Sequence, residues 1–182
     1  EEAHARLLAA LEPLLAVRPF LFGERFTLAD ASVYGQLAMN RADPSADAFV
    51  RRMAPAVHAW VERIARGDFA GHRPDGGLAL DAAAGPLLAW VAATFVPLMQ
   101  QNHDAWERHR AAGETRFNEA AFDAGRALYE GTLLGRPFRN VAKTFQVRVW
   151  RELLRAWGAL APAARGRITA VLPDGLPMER SA

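Results

Sequence analysis

No cysteine occurs among the 182 residues, lysine occurs once, and serine three times. The missing cysteine excludes a disulfide scaffold, a thiolate metal site and a cysteine nucleophile. Ser32, Ser45 and Ser181 have no nucleophile's setting, and no G-x-S-x-G, Walker loop, G-x-G-x-x-G or H-E-x-x-H motif is present. Arginine supplies 21 of the 22 basic residues, which raises the pI to about 9.6. An excess of one sign is also lacking. The net charge is +2, which does not suggest wholesale nucleic-acid binding.

What is present is apolar. Hydrophobic residues make up 51% of the chain and charged ones 23%, too apolar for disorder and enough for one buried core. The first residue is Glu, and the next fifteen already read as a helix interior, so the chain is expected to be part of something longer. No signal peptide is visible. Residues 82–103 form a 22-residue stretch without Asp, Glu, Lys or Arg. Its strongly apolar part, Leu87–Met99, has only 13 residues and contains Pro97, short of the ~20 a bilayer needs. A buried core helix is the expectation, with no membrane and a cytoplasmic location.

Apolar residues at helical spacing predict an amphipathic helix over residues 2–17, with Leu7, Leu8, Leu11, Leu14, Leu15 and Val17 inward and a bend or break at Pro13. Thr27-Leu28-Ala29-Asp30 reads as a capping box opening a helix to about Ala42. The next helix starts at Asp43-Pro44-Ser45 and breaks near Pro55, with Phe49, Val50, Met53, Val57, Trp60, Val61 and Ile64 inward. Residues 67–77 hold four glycines and a proline and read as a linker. A long helix from Asp81 or Gly85 to about Ala112 follows. A small hairpin between residues 126 and 143, turning at Gly135-Arg136, precedes an amphipathic helix from Thr144. That helix is expected to turn Phe145, Val149, Trp150, Leu153, Leu154, Trp157 and Leu160 inward. The fold class is all-α, a helical bundle with at most that one hairpin.

Candidate chemistry is sparse. His103 and His109 stand six apart, about 240° round a helix, and no metal-ligand spacing is met. His58 and Glu62 at i, i+4 are positioned to pair. Residues 136–167 carry eight basic groups against Glu152 alone. Within them Arg148, Arg151 and Arg155 form one stripe opposite Trp150 and Trp157. The stripe is read as a solvated face, the alternatives being an anionic ligand or an acidic partner surface. Nucleic acid is not expected, because no aromatic is interleaved on the exposed face.

"RPFLFGERFTLADASVYGQLAMN" followed by "DPSADAFVRRMAPAVHAWVERI" resembles the helical C-terminal domain of the glutathione S-transferase superfamily. Phe20, Leu21, Gly23, Thr27, Ala29 and Asp30 match its loop and capping box, and Pro55 and Trp60 its following helix. The resemblance implies residues 1–66 as such a domain with its first helix missing, and residues 78–182 as a helical extension packed on it, similar to one in some bacterial relatives. It makes Thr27 and Asp30 structural rather than catalytic. It places the glutathione site on a missing N-terminal thioredoxin-like domain, so no cofactor is expected in this chain. A homodimer is allowed. Two readings stay open: the hydrophobic-substrate side of a glutathione transferase, or a non-catalytic adaptor or oligomerisation module.

Overall fold

Residues 2–172 are described by the structure, a computed structural model. They form two compact units that part between Trp90 and Val91.

In the first unit, α1 (Glu2–Val17) runs through Pro13 as one helix. Pro13 lies on its exposed face, so Leu8, Leu11, Leu14 and Leu15 still form an unbroken buried stripe. The expected division at Pro13 does not occur. Val17 is 73% exposed rather than inward, because it lies in the last turn of α1, beyond the cover of its neighbours. After α2 (Leu28–Leu37) a 3-10 turn, Ala38–Ala42, leads to α3 (Pro44–Met53) and α4 (Pro55–Ala65). Phe20, Leu21, Leu37, Val50, Val57, Trp60, Val61 and Ile64 close the core on the α1 leucines. Met53, expected inward, is 48% exposed in the last turn of α3.

The starts of α3 and α4 are capped differently. Asp43 accepts the Ser45 and Ala46 amides at 2.8 and 3.2 Å. The Ser45 hydroxyl and these two amides hold its carboxyl below the usual range. At α4 the cap residue is Ala54, which has no side-chain oxygen. Glu12 supplies one from α1: its two carboxylate oxygens accept the Ala56 and Val57 amides at 2.9 and 3.0 Å. A carboxylate distant in sequence thus satisfies the first turn of α4 and meets the positive end of its dipole.

The glycine-rich stretch after α4 is not a free tether. Its backbone lies along the Phe20–Phe26 loop, with the Arg73 amide on the Glu24 carbonyl and the Ala79 amide on the Phe22 carbonyl, both at 2.8 Å. The Phe26 amide donates to His72 Nδ1 at 3.1 Å. Gly23, at φ +107°, pairs with Leu78 and has Ala79 Cβ 3.4 Å from where its own Cβ would stand. A loop with unpaired peptide groups recruits the segment expected to be a linker, and the division falls after Trp90 instead. Asp81 then accepts the Ala83 amide, opening a 3-10 turn (Ala82–Ala84), and pairs with Arg18, which lowers its pKa.

Helix α5 (Gly85–Ala111) passes from the first unit into the second. With the preceding turn it is, among the described residues, the one helix long and apolar enough to cross a membrane. It is not buried all round as expected: only 22% of its most apolar window is buried, and Val91 and Phe95 are each 36% exposed.

In the second unit α6 (Glu119–Asp123) precedes a hairpin of β1 (Leu128–Leu133) and β2 (Arg136–Val141), then α7 (Thr144–Ala159) and α8 (Pro162–Thr169). Two adjacent amides of α5 hold this hairpin. Gln101 exchanges two bonds with the Thr132 backbone, at 2.8 and 3.0 Å, and Asn102 exchanges two with that of Lys143, at 2.8 and 3.1 Å. Each side-chain amide copies the donor and acceptor of a strand neighbour. His109 adds a 2.7 Å bond to the Leu128 carbonyl. Gly131 lets α5 approach, since a Cβ there would stand 2.6 Å from the Gln101 oxygen and 2.5 Å from the Phe138 ring.

Leu133 faces Arg136, so the turn is Leu134-Gly135, one residue earlier than expected. Both turn residues take positive φ, 51° and 74°, the two-residue turn that matches strand twist. Trp150, Trp157, Val96 and Met99 form the adjoining core. Phe145, expected inward, is 65% exposed, and Val147 is buried in its place.

Two substitutions check these assignments by urea midpoint. Leu134→Asn relieves a left-handed leucine that is 41% exposed, and should stabilise by about 0.5 kcal/mol. Glu12→Ala should cost about 1–2 kcal/mol, as loss of a cap does.

Candidate functional site

The first candidate site grows from Thr27 and Asp30. The capping box is present, and Asp30 is fully buried. Its Oδ2 accepts from the Thr27 amide at 2.8 Å and the Thr27 hydroxyl at 2.7 Å. Its Oδ1 accepts the Leu21 amide at 2.7 Å. One carboxylate therefore ties the start of α2 to the Pro19–Phe26 loop. The other side of that loop is held by α4: Trp60 Nε1 and Arg63 both donate to the Pro19 carbonyl, and the Arg63 guanidinium lies 5.2 Å from the Phe20 ring centre. Three donors converge on the Asp30 carboxyl and give both of its oxygens a partner. These groups bind protein backbone and offer nothing to a substrate.

The second lies in the second unit. Arg148, Arg151 and Arg155 are all exposed on α7, but they are not equivalent. Arg151 pairs with Glu107 of α5, approaches His103 Nε2 at 3.4 Å, and lies 5.2 Å from the Trp106 ring centre. The fully solvated stripe is therefore corrected at this position: an acidic group from another helix meets it. Both partners are nearly half exposed, so the pair contributes little. Arg148 lies 5.4 Å from the Phe145 ring centre, and neither it nor Arg155 meets a carboxylate among the described residues. Arg110 approaches Trp106 at 5.6 Å, and the Trp106 indole donates to the Thr144 hydroxyl at 3.2 Å.

A third feature escaped the sequence. His4 of α1 and Ser45, Phe49 and Arg52 of α3 line an open groove of about 510 Å³. The His4 and Phe49 rings stand 5.9 Å apart, with the Arg52 guanidinium 5.7 Å from the Phe49 ring centre. Only packing of α1 on α3 brings these residues together.

The remaining candidates bond elsewhere. His58 meets Asp47 at 3.0 Å rather than Glu62, which pairs with Arg41 and Arg66. Ser32 donates to the Leu28 carbonyl and Ser45 to Asp43, while Ser181 lies outside the described residues. Tyr129 is buried with its hydroxyl unpartnered, and desolvation raises its pKa. Among the described residues no group of three or more His, Cys, Asp or Glu could hold a metal.

Residues 1–68 match the family described as the glutathione S-transferase, C-terminal domain. The matched residues span α1–α4 and include the loop that Asp30 fixes. No curated protein and no solved structure matches the chain.

The Asp30 assignment has a direct check. Asp30→Ala leaves the Leu21 and Thr27 amides without their acceptor at a buried site, and should cost about 2 kcal/mol or more by urea unfolding. Asp30→Asn keeps only one acceptor oxygen for three donors and should fall between the two.

Proposed function

We propose that α1–α4 form the electrophile side of a glutathione S-transferase-like protein, whose thiol side is a thioredoxin-like domain outside residues 1–182. The observation that supports this is the family match over residues 1–68, on helices whose loop is organised by the buried Asp30 node. The chain's own chemistry agrees with a division of labour. It has no cysteine, Ser32 and Ser45 are bonded locally, and a buried Tyr129 with a raised pKa is poorly suited to activate a thiol at neutral pH. In this reading glutathione is bound by the other domain and the protein acts in the cytoplasm. α5 serves as a packing helix, since Gln101, Asn102 and His109 are engaged with the hairpin.

Conjugation of glutathione to a generic aryl halide is the test. Residues 1–182 alone should give the uncatalysed rate, whereas the longer product of the same reading frame should exceed it. Turnover by residues 1–182 would overturn the division of labour. A longer product inactive against a panel of electrophiles would favour the adaptor reading instead.

A further inference from the structure

We infer that the face formed by the C-terminal half of α5 and the first half of α7 binds single-stranded nucleic acid. This inference is independent of the glutathione S-transferase reading, because it rests on the second unit. The sequence argued against such a partner because no aromatic was interleaved with the α7 arginines. The structure removes that objection: Phe145 is 65% exposed, one turn before Arg148, whose guanidinium lies 5.4 Å from its ring centre. A second aromatic, Trp106 of α5, is half-buried against Phe117. Trp106 bonds Thr144, the residue before Phe145, and has Arg110 and Arg151 at 5.6 and 5.2 Å from its ring centre. Three guanidiniums thus lie on rings of α5 and α7, and of these rings Phe145 is the exposed one.

The charge is available. Lys143, Arg110, Arg148 and Arg155 meet no carboxylate among the described residues, while Glu107 is taken by Arg151. Glu152, on α7 itself, and Asp104, on α5 beside His103, are the acidic groups that remain. Arg148 and Arg155 are two helical turns apart, about 10 Å along the axis, a span of about three phosphates in a stacked strand. A guanidinium stacked on a ring keeps its N–H edge for phosphate, and an exposed ring accepts a base face. An acidic peptide would satisfy the arginines and leave Phe145 without a function. A duplex would hide the bases that Phe145 could stack on. The occupant that uses both features is a single strand.

The test is fluorescence anisotropy of a labelled 12-nucleotide oligothymidylate titrated with residues 1–182 at low salt, with inorganic polyphosphate as the charge-only probe. The parent should bind the oligonucleotide. Phe145→Ala removes an exposed ring, should leave the melting temperature unchanged, and should weaken oligonucleotide binding about 5-fold or more, with polyphosphate binding unaltered. Arg148→Gln with Arg155→Gln should reduce the slope of log K against log salt by about 1.4. Three results would overturn the inference: no oligonucleotide binding at low salt, equal loss of both probes in Phe145→Ala, or an acidic peptide bound more tightly than the oligonucleotide.

Discussion

Peptide groups outside regular elements must be hydrogen-bonded where they are buried, and here side chains from neighbouring helices meet that requirement. Asp30 takes the Leu21 and Thr27 amides, Glu12 the first turn of α4, and Gln101 and Asn102 the backbone of the hairpin and its exit. Without Asp30 the Pro19–Phe26 loop would lose its anchor on α2. The glycine-rich segment that lies along that loop would lose the edge it pairs with. Without the two α5 amides the hairpin would be a lone two-stranded ribbon, which is marginal in water. The apolar clusters then pack against segments already held in place.

The two units use arginine differently. In the first, Arg18 and Arg63 serve the fold, one on Asp81 and the other on the Pro19 carbonyl and the Phe20 ring. In the second, Arg110, Arg148 and Arg151 lie beside the rings of Trp106 and Phe145 at a solvent-facing surface. Arginine suits both tasks because its planar guanidinium stacks on rings and donates in its own plane. The family match ends at residue 68, before this second surface begins.

Several features were legible in the residues alone. Thr27 and Asp30 stand three apart ahead of an apolar run, a spacing whose geometry is local, and they form the expected box. The α1 leucines and the Val57–Ile64 set carry the helical period and are buried. The all-α class and the hairpin between residues 126 and 143 follow from periodicity and turn chemistry. Leu134 adopts a left-handed conformation that leucine disfavours, which is why sequence put the turn one residue late.

What the tertiary structure decided is the identity of partners. Periodicity tells which residues share a stripe, but a stripe is buried only as far as a neighbour covers it. Val17, Met53 and Phe145, all near helix ends, therefore face solvent despite their apolar character. Glu12 reads as a surface carboxylate until α4 packs with its bare N-terminus beside it. His58 takes Asp47 of α3 over Glu62 of its own helix, and Arg151 takes Glu107 of α5. Local spacing determined the helices, their caps and the class of fold. Which side chain meets which backbone or charge depended on contacts between residues tens of positions apart, and a linear pattern carries no distance between such residues.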